Sequence, residues 1–243
     1  MKDYLQDLVQ HTQGLGIIDL VKITGDSQET KIDAIADDRS VIVQAKFKNP
    51  VPEFVGTFGM PNLGKLNTIL NIQEYKEDAK LSINTQNRNG EDVPVGIHFE
   101  NKAGDFKNDY RFMESAIINE KLKTVRMQQV KWNVEITPTV ASIQKMKFQA
   151  SANSDEPTFV SKTENNTLKF YFGDHSSHAG NFVFQDGVTG VLSKSWSWPV
   201  GAVISILNLG GDKNLKISDA GVMQITVDSG IAVYNYLLPA QTK

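Results

Sequence analysis

Few residues in this chain are of types and spacings that could do chemistry, and most of them fall where the chain turns. Asp174-His175-Ser176-Ser177-His178 offers two imidazoles and a carboxylate, a common ligand set for a metal ion. The segment lies between two strand-like runs, is rich in turn residues, and brings neither a fourth ligand nor partners to orient the imidazoles. A solvated loop is expected there, and no metal. Asp37-Asp38-Arg39 sets two carboxylates beside a guanidinium, as acid chemistry would need, but a polar hairpin tip has the same composition. No phosphate-binding Gly-x-x-x-x-Gly-Lys loop, Gly-x-Ser-x-Gly elbow or His-Glu-x-x-His pair occurs. The chain has no cysteine, so zinc ribbons and thiol catalysis are excluded. No catalytic residue and no cofactor is expected, and the chain does not read as an enzyme. Trp196 and Trp198, next to Pro199, could stack sugars or bases. Packing at a helix-to-strand junction is the reading preferred for both.

Five lysines stand apart because their placement repeats. Lys2, Lys65, Lys145, Lys147 and Lys194 each fall in or beside one of four short helical patterns. The first runs from about Asp3 to His11 with Leu5, Leu8 and Val9 on one side. The second follows Pro61 and gathers Leu63, Leu66, Ile69 and Leu70 opposite Lys65. The third is expected to start at Thr137 as N-cap, with Val140, Ile143 and Met146 inward and Lys145 outward. The fourth is expected from about Thr189 to Trp196, ending before Pro199, whose ring disfavours helix at the preceding residue. If the helices share one surface, these lysines converge as a track for a polyanion would require.

The remainder is strand-dominated. Alternating runs appear at Ile17–Ile23, Thr30–Ala36, Val41–Phe47, Gly96–Glu100, Tyr110–Ser115, Lys131–Ile136, Leu168–Phe172 and Asn181–Gln185, with turn residues such as Asn165-Asn166 between them. Of 243 residues, 40% are hydrophobic and 22% charged, which excludes disordered, collagenous and disulfide-scaffold classes. Lys and Arg number 25 against 28 Asp and Glu, for a net charge of −3. A uniformly basic nucleic-acid binder is thereby excluded, but a basic lining within an acidic body is not. No apolar stretch approaches the ~20 residues of a membrane span, and the N-terminus has no signal-peptide core. A cytosolic protein without a membrane partner is expected.

The chain also carries a faint duplication in order and pattern. Each half runs helix, strands, helix and then three strands. In the first half these three are Lys80–Ile83, Val95–Glu100 and Asp109–Ala116; in the second, Leu215–Ser218, Val222–Val227 and Ile231–Leu238. The domains are expected at residues 1–118 and 128–243, joined by a polar connector at 119–127.

That order of elements resembles the DNA polymerase sliding clamps of tailed bacteriophages, relatives of proliferating-cell nuclear antigen, over nearly the whole chain. The resemblance is carried by Phe54-Val55-Gly56-Thr57-Phe58-Gly59-Met60-Pro61-Asn62-Leu63-Gly64-Lys65-Leu66-Asn67-Thr68-Ile69-Leu70. It continues in Trp198-Pro199-Val200-Gly201, Ile204-Ser205-Ile206-Leu207 and the closing Tyr234-Asn235-Tyr236-Leu237-Leu238-Pro239-Ala240. The stretch Asn84–Pro94 departs from it as an extended loop. The resemblance implies an α+β fold of two similar clamp domains, antiparallel sheets outside and helices inside, closed as a homotrimeric ring around duplex DNA. It implies a processivity factor in the cytoplasm of an infected bacterium, with DNA polymerase, a clamp-loader ATPase and transcription factors as partners. The five lysines would then face DNA. The strand with Tyr110 and Phe112 would meet a neighbour's edge with Phe182 and Phe184, and Leu237, Leu238, Pro239 and Ala240 would border the partner site. A phage virion β-protein and a carbohydrate-binding β-sandwich are the alternative readings.

Overall fold

A computed structural model describes residues 1–88, 90–123, 129–174 and 178–241, apart from the side chain of Glu91. The chain forms two compact units: Met1–Arg39 with Val43–Val125 and Ser229–Tyr234, and Ser40–Ile42 with Arg126–Asp228 and Asn235–Lys243.

The first unit contains α1 (Lys2–His11), β1 (Leu20–Gly25), β2 (Thr30–Ile35), β3 (Ile42–Phe47), β4 (Gly56–Pro61), α2 (Leu63–Leu70), β5 (Lys80–Arg88), β6 (Glu91–Glu100), β7 (Lys107–Arg111) and α3 (Ser115–Lys121). Its strands are ordered β4-β1-β2-β3 in one sheet and β5-β6-β7 in another. Alternation decides which face is buried: Thr30, Ile32 and Ala34 of β2 and Val43, Ala45 and Phe47 of β3 point into the core. Helix α1 presents Leu5, Leu8 and Val9 to that core, and α2 presents Leu63, Leu66, Ile69 and Leu70, as their spacing predicts. Pro61 ends β4 rather than opening α2; Asn62, with φ 54°, turns the chain between them. Buried polar groups must find partners. Asp7 accepts a 2.7 Å hydrogen bond from the Tyr234 hydroxyl, and His11 stacks on the same ring at 4.6 Å.

The second unit contains β8 (Val134–Ile136), α4 (Val140–Ala152), β9 (Thr158–Glu164), β10 (Thr167–Phe172), β11 (Gly180–Asp186), β12 (Trp196–Pro199), α5 (Val200–Leu207), β13 (Asp212–Ser218) and β14 (Val222–Asp228). The final strand, β15 (Ala232–Pro239), gives its first residues to the first unit and the rest to this one. Here the orders are β11-β10-β9-β12 and β15-β14-β13-β8. Asn165 and Asn166 both take positive φ, which lets a two-residue turn follow the right-handed twist of β9 and β10. The core is aromatic: Phe159, Phe170, Phe172, Phe184 and Trp198 are all buried.

The duplication is visible in the topology. Helix, four strands, helix and three strands occur in each unit, and β4-β1-β2-β3 matches β12-β9-β10-β11 position for position.

Three expectations are corrected. The fourth helix is α5, at Val200–Leu207, whereas Trp196–Pro199 is strand. Pro199, with φ −69°, sits at the N-cap of α5 and so marks its start. The third helix is capped by Thr139, whose Oγ1 accepts from the Ser142 amide at 3.0 Å, and Val140 is 86% exposed rather than inward. The extended loop at Asn84–Pro94 is instead the continuation of β5 and β6 into a long hairpin. In the connector at 119–127, residues Asn119–Lys121 are helical, while 124–127 lie outside the described residues.

Two glycines test this packing in opposite directions. A Cβ at Gly190 would lie 1.8 Å from the Asn133 carbonyl oxygen, whereas one at Gly201 in α5 would meet nothing within 4 Å. Gly190→Ala is expected to destabilise the protein by about 3 kcal/mol. Gly201→Ala should leave it unchanged or up to about 1 kcal/mol more stable. Urea unfolding of both variants checks this.

Candidate nucleic-acid interface and subunit edges

The four helices α1, α2, α4 and α5 carry four lysines against two aspartates, Asp3 and the buried Asp7, although the whole chain is net acidic. Helix α1 packs on α2 within the first unit and α4 packs on α5 within the second. Lys65 and Lys145 are exposed, Lys147 is half-buried, and none of them makes an ion pair among the described residues. Helix α4 has no acidic residue at all, and α5 has no charge. These cations are therefore available to an external anion.

Lys2 and Lys194 are placed differently. Lys2 is half-buried and its ammonium donates to the carbonyls of Tyr75 at 2.5 Å and Lys76 at 3.3 Å, so part of its charge holds the first unit together. Lys194 lies in no helix. It sits in the loop before β12, with Nζ 5.7 Å from the Trp196 ring, a cation over an aromatic face. Asp219 fixes that loop, its carboxylate accepting from Ser193 Oγ at 2.6 Å and from the amides of Ser193 and Lys194. The Asp219 carbonyl also accepts from Trp196 Nε1 at 3.0 Å. Trp198 belongs to the core, with Nε1 donating to Ser161 Oγ at 2.8 Å.

The expected interface aromatics divide. Tyr110 is buried, its hydroxyl donating to the Pro61 carbonyl, and burial pushes its phenol well above the usual range. Phe184 is buried and stacks on Phe170 at 4.5 Å. Phe112 is half-buried against Phe58 at 4.3 Å, and Phe182 is half-buried against Phe170 at 5.8 Å. Tyr110 and Phe184 are thus committed to their own cores. What β7 and β11 leave open is backbone: each is the last strand of its sheet among the described residues. The partner-site residues divide in the same way. Leu237 and Leu238 are buried at the end of β15, and only Pro239 and Ala240 keep access to solvent.

Of the dismissed sites, residues 175–177 of the His-Ser-Ser-His segment lie outside the described residues, and no group of metal ligands forms among the described ones. Asp37-Asp38-Arg39 is an exposed turn with Arg39 at φ 58°. No helix among the described residues is long and apolar enough to cross a membrane.

The fold is that of the sliding clamps. Over 100% of its length this chain matches 97% of the proliferating-cell nuclear antigen (PCNA) of A. fulgidus, solved with the C-terminal region of FEN-1 bound, with a TM-score of 0.72 and 9% identity. It matches PCNA of Thermococcus kodakaraensis with a TM-score of 0.69 and 11% identity, covering 99% of this chain and 97% of that one. At such identities the likeness is one of fold. No protein-family model matches the sequence, and no curated protein matches it.

The Asp219 anchor predicts a pH dependence. Burial raises this carboxyl, but the hydrogen bonds from Ser193 and Lys194 outweigh it and leave the group below its usual range. A depressed carboxyl stabilises the fold above its unfolded value, near 4, and the contribution is lost as pH falls through the folded value. Asp219→Asn is expected to be less stable than the wild type by about 1 kcal/mol at pH 7, with the gap closing below about pH 4. Urea midpoints across that range check it.

Proposed function

We propose that this protein is a bacteriophage DNA polymerase processivity factor: a non-enzymatic sliding clamp that closes as a homotrimer around duplex DNA in the cytoplasm of the infected host. The observation that carries this reading is the pair of open edges in a duplicated plan. In the first unit the outer edge of β3 is taken by the start of β15, where Lys48 N donates to Ile231 O at 2.9 Å. The strand in the position of β3 in the second half is β11, and the counterpart of β15 in the first half is β7. Both are open at their outer edges among the described residues. Pairing β7 of one subunit with β11 of the next repeats a contact that the chain already makes, and it is heterologous, so successive subunits generate a ring when the rotation closes.

In this reading the helices with unpaired lysines line the hole. Lys65, Lys145 and Lys147 attract phosphate without reading sequence, because lysine is a flexible point charge rather than a rigid fork. Topological linkage then holds the ring on DNA while individual contacts exchange. Lys194 adds to the same field from its loop, and Lys2 in part. DNA polymerase, the loader ATPase and transcription factors dock in turn beside Pro239 and Ala240; the FEN-1 segment bound to the A. fulgidus clamp supports peptide capture by such a fold. The chain's acidic balance, −3 overall, disfavours DNA on the outer surface.

Changing Lys65, Lys145 and Lys147 together to Glu is expected to abolish loader-dependent retention on closed circular DNA. Any single substitution should lower retention little, whereas raising the salt should lower wild-type retention steeply. Retention assays with sedimentation at the same protein concentration check this, since the trimer should persist. Unchanged retention removes these residues from the role.

A further inference from the structure

The first unit holds a cleft of about 560 Å³ whose wall along β4 none of the roles above uses. Its floor is apolar, formed by Phe58 stacked on Phe112 at 4.3 Å and by Met113. Val55, 55% exposed, stands at the rim. One wall is the first half of β4. Further along that strand Gly59 and Met113 exchange both backbone hydrogen bonds, at 2.9 and 2.8 Å. The next rung of an antiparallel ladder would join Thr57 to Ser115, but Ser115 begins α3 and the ladder stops after one rung. The Thr57 amide and carbonyl point to the same side as those of Gly59 and have no partner among the described residues. Beside them Gly56, at φ +84°, has nothing within 4 Å of where a Cβ would lie.

Charge distinguishes the other wall. Arg88 is held by Glu114 at 2.8 Å, and Asp92 accepts from Asn87 at 3.1 Å. Arg111 is exposed and forms no ion pair among the described residues. The cleft thus combines an open β-rung, an aromatic floor and one unmatched guanidinium.

We propose that it captures an extended acidic and apolar peptide from a partner protein. The peptide adds as a strand beside Thr57, with alternate side chains on Phe58 and Phe112 and a carboxylate on Arg111. Main-chain bonds supply affinity in this mode and the pockets for alternate side chains supply specificity. With Arg88 already paired to Glu114, the lining offers one unpaired cation, enough for a single carboxylate but not the row of cations that a nucleic-acid strand requires. The proposal uses only the first unit and does not rest on the clamp reading; because Arg111 also ends the β7 edge that reading gives to a neighbouring subunit, Thr57→Pro and methylation of the peptide are the arms that act independently of assembly.

The test is selection of a displayed random octapeptide library on the full chain, followed by fluorescence anisotropy of the enriched peptides. Enriched sequences are expected to carry an acid and apolar residues at alternate positions. Thr57→Pro removes the open amide, which an edge strand tolerates, and Arg111→Glu reverses the charge on an exposed side chain; each should weaken binding by about tenfold or more. Methylating the central amides of the peptide should do the same without touching the protein. Enrichment of no such sequence, affinities unmoved by both substitutions and by methylation, or displacement of the peptides by a single-stranded oligonucleotide would overturn the proposal.

Discussion

A β-sheet cannot end without leaving a row of amides and carbonyls unpaired along its last strand, and this architecture is organised around how its edges are closed. The edge of β4 receives a single rung from Met113, and that of β12 receives one from Gln241, whose amide donates to Ser197 O at 2.9 Å. The edge of β3 is taken by the start of β15. Among the described residues β5, β7, β8 and β11 remain as outer strands, and β7 and β11 are the two that a repeat of the β15–β3 contact would join. Strand β7 displays Lys107, Asp109 and Arg111 alternately to solvent, a pattern that discourages indiscriminate pairing and favours one matched partner. In the proposed ring, β11 of the next copy is that partner.

The helices answer a different requirement. A core-facing helix needs only an apolar stripe, so its outer face is free to carry whatever charge function asks for. Helix α4 uses that freedom most clearly, with two lysines and no carboxylate along 13 residues. Helix α5 does the opposite, exposing only small and aliphatic residues, and Lys194 stands instead in a loop pinned by Asp219. Electrostatics of the second unit therefore depend on a hydrogen-bonded turn as well as on a helix.

Much of this was legible in the sequence. Leu5, Leu8 and Val9 in α1, the four apolar residues of α2 and the Asn165-Asn166 turn announce their elements, because one face of each is buried and the other is polar. Helix α5 is hard to place from sequence because Val200–Leu207 is apolar almost all round and carries no period, while Thr189–Trp196 has a helix-like spacing by chance, around Gly190, where an added Cβ would lie 1.8 Å from the Asn133 carbonyl oxygen. The long β5–β6 hairpin resembles a loop in sequence because its far half has little core to face: Gln86 and Asn87 are exposed, so alternation between apolar and polar is lost. The cleft beside it has no sequence signal, since an open rung at Thr57 is a property of where Ser115 turns into helix and leaves no mark on composition. Likewise the burial of Tyr110, Phe184, Leu237 and Leu238 depends on which strand lies over them.

The central claim is that β7 of one copy pairs with β11 of the next and that three copies close. The chain has no cysteine, so engineered pairs report on this contact alone. Asp109→Cys can be combined in turn with Asn181→Cys, Val183→Cys or Gln185→Cys, which samples the register of β11 within the few ångströms a disulfide spans. After mild oxidation of each variant at micromolar concentration, denaturing electrophoresis with mass determination should show, for at least one pair, a covalent trimer with no free ends and no larger species. Monomer alone for all three pairs, or a ladder running past three subunits, would contradict the account.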